Sequence, residues 1–373
     1  MSRIPLPRPT LIPGLPRIWR TPEELQLGLD PAHAVLLRLP DPKAAQLLDL
    51  LDGARSERLV LLRAAELGVP PAEAREILDL LYQSGLVLPA GTLLPTALPA
   101  SSRARLTGEA AALALCAAGP PGPVTGDAPS PARLLRRRQS ARVVLNGRGR
   151  LGAPIAVALA EAGVGHVQPD LTGSVAPGEV TGGPLGTGDV GSPRRAAVTA
   201  AILRAAPGTE VHGARRAAAT LVVQLAHDEP TALVAAGHAG RRQPHLAVTI
   251  RDGAAVIGPL VPATGAPCLH CLDLHRQDRD AGWPGSLGAA GTDAEPCAVA
   301  TLLAATAYAT AEILAYLDGR IPDTLGVAVE ISAAGRFRRR TWPPHPACDC
   351  QRHTGTFTRP SPHKPKTTRR RAE

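Results

Sequence analysis

Between residues 27 and 89 the apolar positions change their period twice. QLGLD and AVLLRLP alternate apolar and polar residues, the period-two pattern of half-buried strands. Helical spacing then takes over. In PKAAQLLDLLDG, Ala44, Leu47, Leu48 and Leu51 fall at i, i+3, i+4 and i+7, and Gly53 ends the run. SERLVLLRAAELG offers Ser56 as an N-cap and Gly68 as a stop. PPAEAREILDLLYQSG begins at Pro70 or Pro71 and stops at Gly85. LVLPAGTLLP closes the region as a hairpin or wing. A strand pair, three helices and a wing predict a small α+β winged-helix domain over residues 1–92.

From 93 to 132 the chain is rich in Ala, Gly and Pro, most of all in AAGPPGPVTGDAPSPA, and reads as a linker. LTGEAAALALCAA inside it suits a buried strand or a short helix. Beyond it, RVVLNGRGRLGAPIAVALAEAGVGHV predicts a strand, a glycine turn and a helix. Apolar strand candidates (TLVVQLA, HLAVTI, AAVIGPLV) then alternate with helical stretches (RRAAVTAAILRAA and AVATLLAATAYATAEILAYLDG). That alternation predicts an α/β, Rossmann-like domain with a mostly parallel sheet over 133–353. No internal repeat is evident.

Composition adds three constraints. Aromatic residues make up only 2% of the chain, so the core rests on Leu, Val, Ile and Ala. No uncharged apolar run reaches the length of about 18 residues that a membrane span needs, and the proline-rich start lacks a signal peptide's apolar block. The expectation is a cytoplasmic protein without a membrane partner. The net charge of +9 is concentrated in the tail: from Gln351 onward there are seven Lys or Arg and one Glu. Such a tail, disordered over 354–373, binds polyanions without reading sequence, so no specific nucleic-acid partner is expected.

Four of the six cysteines lie in short-spaced pairs, Cys268 and Cys271 as C-x-x-C and Cys348 and Cys350 as C-x-C. Two such pairs can supply the four thiolates of a closed, structural Zn²⁺ site; buried reduced thiols and a redox dithiol are the alternatives. His270, His275, His345 and His353 are possible substitute ligands or surface histidines. Gly147, Gly149 and Gly152 have the G-x-G-x-x-G spacing that brings backbone N–H groups to a phosphate, with Asp170 near the place of a ribose-binding acid. An NAD site remains open on these residues alone. Cys297, ahead of an Ala-rich helix, suits a buried thiol or a nucleophile, and Asp228 suits a turn cap or a catalytic carboxylate.

These stretches together resemble the ThiF/MoeB/HesA family of ubiquitin-activating-type adenylyltransferases, from about Arg142 to Cys350. GRGRLGAPIAVALAEAGVGHV looks like the family's first strand, turn and helix, and GDVGSPRRAAVTAAILRAAPGTEV like its basic-helix segment. EPCAVATLLAATAYATAEILAYLDG resembles the stretch in which some members carry a reactive cysteine. The resemblance implies Mg-ATP as cosubstrate and activation of a carboxylate on a carrier protein or peptide, by a homodimer. Gly147, Gly149 and Gly152 would then cradle phosphate, Asp170 contact ribose and Arg194 touch phosphate. Asp228 would attend Mg²⁺ and Cys297 accept the activated group. VAPGEVTGGPLGTGDVG departs from the family: it has no basic residue where members carry an N-x-x-R-Q element.

The N-terminal unit resembles the PqqD-like leader-peptide recognition element. Joined to a ThiF-like domain, it looks like the partner protein of azoline-forming cyclodehydratases. The alternative function this implies is a non-adenylating scaffold presenting a precursor peptide to a YcaO-type enzyme, with QLGLD or AVLLRLP as the docking edge.

Overall fold

The computed structural model describes residues 4–30, 34–39, 41–118, 129–213, 218–263, 265, 267–283, 295–333 and 335–350. The basic tail at 354–373 and His353 lie outside the described residues, as does 119–128 of the expected linker.

The chain opens with strand β1 (Pro9–Leu11) and a meander of β2 (Arg17–Thr21), β3 (Glu24–Leu27) and β4 (Val35–Arg38). A 3-10 helix (Pro42–Leu50) follows, where periodicity predicts a helix; Asp41 caps it by accepting the Lys43 N–H. Helices α1 (Glu57–Glu66) and α2 (Pro71–Gln83) match their predicted spans, and Ser56 Oγ accepts the Leu59 N–H at 3.4 Å. Leu25, Leu27, Leu37, Leu47, Leu78 and Leu81 close this small core.

Two expectations change here. LVLP forms β5 (Val87–Pro89), but its partner is β1, antiparallel with Leu11 opposite Val87, so no local hairpin or wing forms. The Ile12 N–H donates to Leu86 O and the Ala90 N–H to Arg8 O, long-range bonds that local periodicity does not register. In the three-stranded sheet the order is β2-β3-β4, which makes QLGLD the centre strand and leaves β2 and β4 as edges.

The expected linker holds mostly helix: a short α3 (Ala90–Leu93), the 19-residue α4 (Ala100–Ala118) and the start of α5 (Pro131–Ser140). Leu106, Ala110, Ala111 and Ala114 of α4 are buried against Ile12, Leu93, Leu98 and Leu135. Alanines at helical spacing thus form a packing face that a linker-like composition conceals.

The α/β domain follows: β6 (Arg142–Gly147), α6 (Gly152–Glu161), β7 (His166–Leu171), α7 (Arg194–Ala205), β8 (Leu221–Gln224) and α8 (Thr231–Gly240). After these come β9 (His245–Arg251), β10 (Ala254–Val261), α9 (Leu269–Gln277), α10 (Val299–Leu317), β11 (Val327–Ala333) and β12 (Arg336–Thr341). One seven-stranded sheet results, in the order β12-β11-β10-β9-β8-β6-β7. Strands β7, β6, β8 and β9 run parallel; β10, β11 and β12 continue as an antiparallel meander. The fold class is α/β, as the strand–helix alternation predicts.

Neighbouring residues of β9 face opposite layers, as strand geometry requires. Leu246 and Val248 enter the main core with α6, α7 and α10, whereas Ala247 joins the α8–α9 cluster. By length and composition α10 could cross a membrane. Here it is a core helix, with Leu302, Ala305, Ala309 and Ile313 buried under the sheet and Glu312 accepting two hydrogen bonds from Thr324.

One buried ion pair ties the N-terminal helices to this domain. Arg138 of α5, 1% exposed, makes a two-pronged bond to Asp318 at the end of α10 (2.9 and 2.7 Å) and a third to Glu109 of α4. Asp318→Asn leaves the buried Arg138 with only the partly exposed Glu109, and Arg138→Met leaves the buried Asp318 with only the exposed Arg320, 3.5 Å away. Either should cost about 3–5 kcal/mol in urea-unfolding experiments. Glu109→Gln, which lies at the partly exposed end of the clasp, should cost about 1 kcal/mol or less.

Candidate functional site

Strand β6 ends at Gly147 and the chain turns through Gly149 into α6, whose first residue is Gly152. Gly147 and Gly149 have φ of +114° and +121°, values that glycine alone adopts without strain. A Cβ on Gly147 would stand 2.4 Å from Ala226 O, and one on Gly152 would stand 3.0 Å from a Leu225 methyl carbon. These two glycines therefore let β6 and the exit of β8 meet backbone to backbone.

Gly149 faces a different neighbour. Its Cβ would fall 2.6 and 2.7 Å from the carboxylate oxygens of Glu295. The Arg150 N–H, in the mouth of the turn, donates to Glu295 Oε2 at 2.7 Å. The Arg150 guanidinium reaches over the same segment, donating to Glu295 O, Cys297 O and Thr181 Oγ1. Its Nε is buried and has no hydrogen-bond partner among the described residues. The turn thus accepts an anion, and here the anion is a carboxylate of the chain itself. Burial pushes the Glu295 carboxyl above its usual range, the nearby Glu179 adding to the shift.

Asp170, at the end of β7, is opposite Asn146 in the parallel register. It is exposed and makes no hydrogen bond with the described residues. Its position one strand from the turn suits a polyol hydroxyl. Asp228 follows β8, is 70% exposed and pairs with Arg148 of the turn at 2.6 Å. Arg194 differs from its expected role. It is 2% exposed, its Nε and Nη2 lie against the Glu179 carboxylate, and it also donates to the carbonyls of Thr172 and Ser174. Its charge is committed to the β7–α7 corner, which leaves it no hydrogen-bonding edge to offer a phosphate. Cys297 lies beside the turn, but burial raises its pKa, the reverse of what an activated thiolate needs.

Glu295, Arg148, Arg150 and Glu179 were not among the residues expected from sequence. The two arginines do carry a signal, because basic residues interleave with the glycines in GRGRLG.

On the other face, Cys268 and Cys271 at the start of α9 meet Cys348 and Cys350. The Sγ–Sγ separations are 3.9 Å within the first pair and 3.6 and 3.4 Å across to the second. Tetrahedral thiolate coordination at about 2.3 Å per bond requires separations of this size, so the donor set fits a closed metal site. Hydrogen bonding from Cys268 lowers the pKa of the Cys271 thiol, while that of Cys350 is raised by burial. Of the histidines expected as substitutes, His275 and His345 are otherwise engaged, while the buried Nδ1 of His270 has no hydrogen-bond partner among the described residues. His345 bonds Asp278 and the Ala347 N–H, and His275 bonds Pro343 O. They fasten the segment that carries Cys348 and Cys350.

No protein-family profile matches the chain, and no curated protein is similar to it. Solved structures do share its fold. Escherichia coli MccB with AMPCPP and MccA aligns over 91% of this chain and 98% of its own, with a TM-score of 0.56 and 15% identity. MccB with ATP aligns over 92% and 99%, with a TM-score of 0.56 and 14% identity. PaaA aligns over 88% and 98%, with a TM-score of 0.58 and 15% identity. Both the N-terminal unit and the α/β domain fall within these alignments.

Behind the turn, Gln224 Oε1 accepts from Asn146 and sits 3.1 Å from His238 Nε2, and the His238 ring stacks on His245 at 4.1 Å. Burial lowers the His238 pKa to about 4, with His245 and Arg241 adding to the shift. A depressed histidine contributes stability above its unfolded pKa and loses it as pH falls through the folded one. The urea midpoint should therefore drop between pH 6.5 and 4, by up to about 3 kcal/mol of stability from this site. His238→Leu should flatten that slope, and His245, also depressed, should retain the rest.

Proposed function

We propose that the protein holds a carrier protein or precursor peptide and activates its carboxylate with Mg-ATP at the glycine turn. The observation that carries this reading is the anion already seated there: the turn binds a carboxylate through a backbone N–H at a helix start. Among the solved neighbours that match nearly the whole chain, MccB is found with ATP in one structure and with AMPCPP and MccA in another. One is described as a microcin C7 biosynthetic enzyme.

In the proposed reaction a carboxylate oxygen attacks the α-phosphorus, the bond to the β-phosphate breaks, and pyrophosphate leaves with that electron pair. The chain's residues orient the partners. With Glu295 withdrawn, the Arg150 N–H and its unpartnered Nε face the phosphates, and Asp170 faces the ribose. Mg²⁺ would offset phosphate charge beside Asp228, provided Arg148 lets go of that carboxylate. Cys297 as acyl acceptor is a later option for the same site. The exposed edge β4, in the AVLLRLP stretch, is the proposed place for a leader peptide to add as a strand. The cytoplasm is the proposed location and a homodimer the proposed assembly.

A second reading has its own observation. Arg148 and Arg194 are ion-paired and Arg150 is largely spent on carbonyls, so the turn offers little free positive charge. That favours a leader-binding scaffold serving a YcaO-type enzyme. Calorimetry of Mg-ATP with the metal-loaded protein decides between them. Adenylation predicts micromolar binding that tightens at least tenfold in Glu295→Gln and vanishes in Gly149→Asp, with peptide-dependent exchange of pyrophosphate into ATP. No heat in the wild type or in Glu295→Gln, both folded and metal-replete, leaves the scaffold.

Zinc is the ion we assign to the four cysteines, in a structural role. Elemental analysis should find one zinc per chain, lost in Cys271→Ser. Chelation should lower the melting temperature by at least about 5 °C by releasing the C-terminal segment.

A further inference from the structure

On the α8–α9 side of the sheet, a cavity of about 600 Å³ lies between α9 and strands β9 to β12. Its volume is that of a small-molecule or peptide-end site. Ala247, Val256, Leu269 and Leu272 give it an apolar floor. Four guanidinium groups stand around that floor: Arg251 from β9, Arg276 from α9, Arg279 from the turn that follows α9, and Arg340 from β12. Two carboxylates, Asp252 and Glu330, share the lining.

The pairing is incomplete. Arg340 bonds Glu330 at 2.9 Å and Arg276 approaches Asp273 at 3.4 Å. Arg251 and Arg279 make no ion pair with the described residues; Arg279 lies over the Trp342 ring, 5.3 Å from its centroid. Donors also outnumber acceptors. Trp342 is 6% exposed and its indole N–H has no acceptor among the described residues; nor do the buried Trp283 N–H and Arg340 Nε. Buried donors left this way are rare because each carries its full desolvation cost. Crowded like charges leave the same mark: burial lowers the Arg276 pKa to about 10, with Arg251 contributing.

The cavity also adjoins the glycine turn. Leu225, which packs on Gly147 and Gly152, is part of its wall, as are Gln224 and His227. Leu225 is thus shared between the packing of the turn and the wall of the cavity.

We propose that this cavity binds an acidic side chain of the peptide substrate, at or next to the residue whose carboxylate is activated, between Arg251, Arg279 and the Trp342 indole. The assignment rests on the peptide-binding part of the function proposed above. Forked guanidiniums match a planar carboxylate with two parallel hydrogen bonds. With Asp252, Glu330 and the Asp273 that pairs with Arg276 set against the four guanidiniums, an excess of about one positive charge remains, enough for one carboxylate and too little for a triphosphate.

Two of the chain's three tryptophans line the cavity, so their fluorescence reports on it. The metal-loaded, full-length protein is titrated with acetyl-Ala-Ala-Glu-amide and with acetyl-Ala-Ala-Gln-amide. The Glu peptide should bind at least tenfold more tightly. Arg251→Gln and Arg279→Gln should each erase roughly tenfold of that preference, with circular dichroism and zinc content unchanged. Equal binding of the two peptides overturns the proposal. So does a preference that survives in both folded variants, or displacement of the Glu peptide by inorganic phosphate at lower concentration than by free glutamate. Mg-ATP binding is read separately by calorimetry. Its absence alongside a persistent Glu preference would remove adenylation and leave the acidic-peptide site standing.

Discussion

Everything on the functional side of this molecule follows from one missing carbon atom. With no Cβ on Gly147, the last residue of β6 lies directly against the chain leaving β8, and the Arg148 N–H donates to Ala226 O across the gap. Leu225 can then rest on Gly152 while its far side forms the wall of the large cavity. The start of α6 is set by the same contact, which directs the Arg150 N–H at Glu295. An alanine at 147 would require both a strained backbone and a parting of two strands in the middle of the sheet. The anion site and the cavity share a hinge of close-packed backbone.

The other end of β6 is fixed by charge. Helix α5 runs into β6 with a single residue, Ala141, between them, so the grip of Arg138 on Asp318 fixes where the strand begins. Burying that guanidinium costs several kcal/mol, and an apolar pair of similar shape would pack at less cost. What the ion pair adds is direction: it accepts one arrangement of α4, α5 and α10 and leaves a charge unmatched in any other. Among the described residues, the small N-terminal domain packs against α3, α4 and α5, and this clasp fixes α4 and α5 against the α/β domain.

Sequence patterns conveyed the elements that make their own contrast. α2, α6, α7 and α10 have long apolar faces bounded by glycine or proline, and the central strands are short apolar runs between them. α4 was legible only in part: LTGEAAALALCAA suits a strand or a short helix, but alanine buries well yet contrasts weakly with its neighbours, so the helix's full length looked like linker. β12, RFRRRT, pairs through its backbone along the sheet edge while Arg336, Arg338 and Arg339 stay exposed, which leaves no apolar signature. β5 needed a partner from residue 9, which no local window contains. At the site, the cysteine pairs were legible because each closes a tight turn by itself. Glu295 was not: it meets the turn from 145 residues away, and nothing local distinguishes it from a solvated acid. Arg194 was legible as a basic residue at the right place, but its neutralisation by Glu179 is a tertiary fact.

The carboxylate on the turn also determines what can replace it. Glu295 is held by one strong hydrogen bond and by proximity, an intramolecular ligand with an effective concentration on the order of millimolar. Against that stands its own desolvation, which the raised pKa records and which is returned when the side chain moves into water. A single external carboxylate offers the turn no more than Glu295 does and lacks its tether, so it does not compete. A ligand that spans the turn and the neighbouring strands can, because each added contact is made without freeing the first. Competition with a tethered acid therefore selects for extended ligands, and the charge-rich cavity beginning at Leu225 lies where such a ligand would extend.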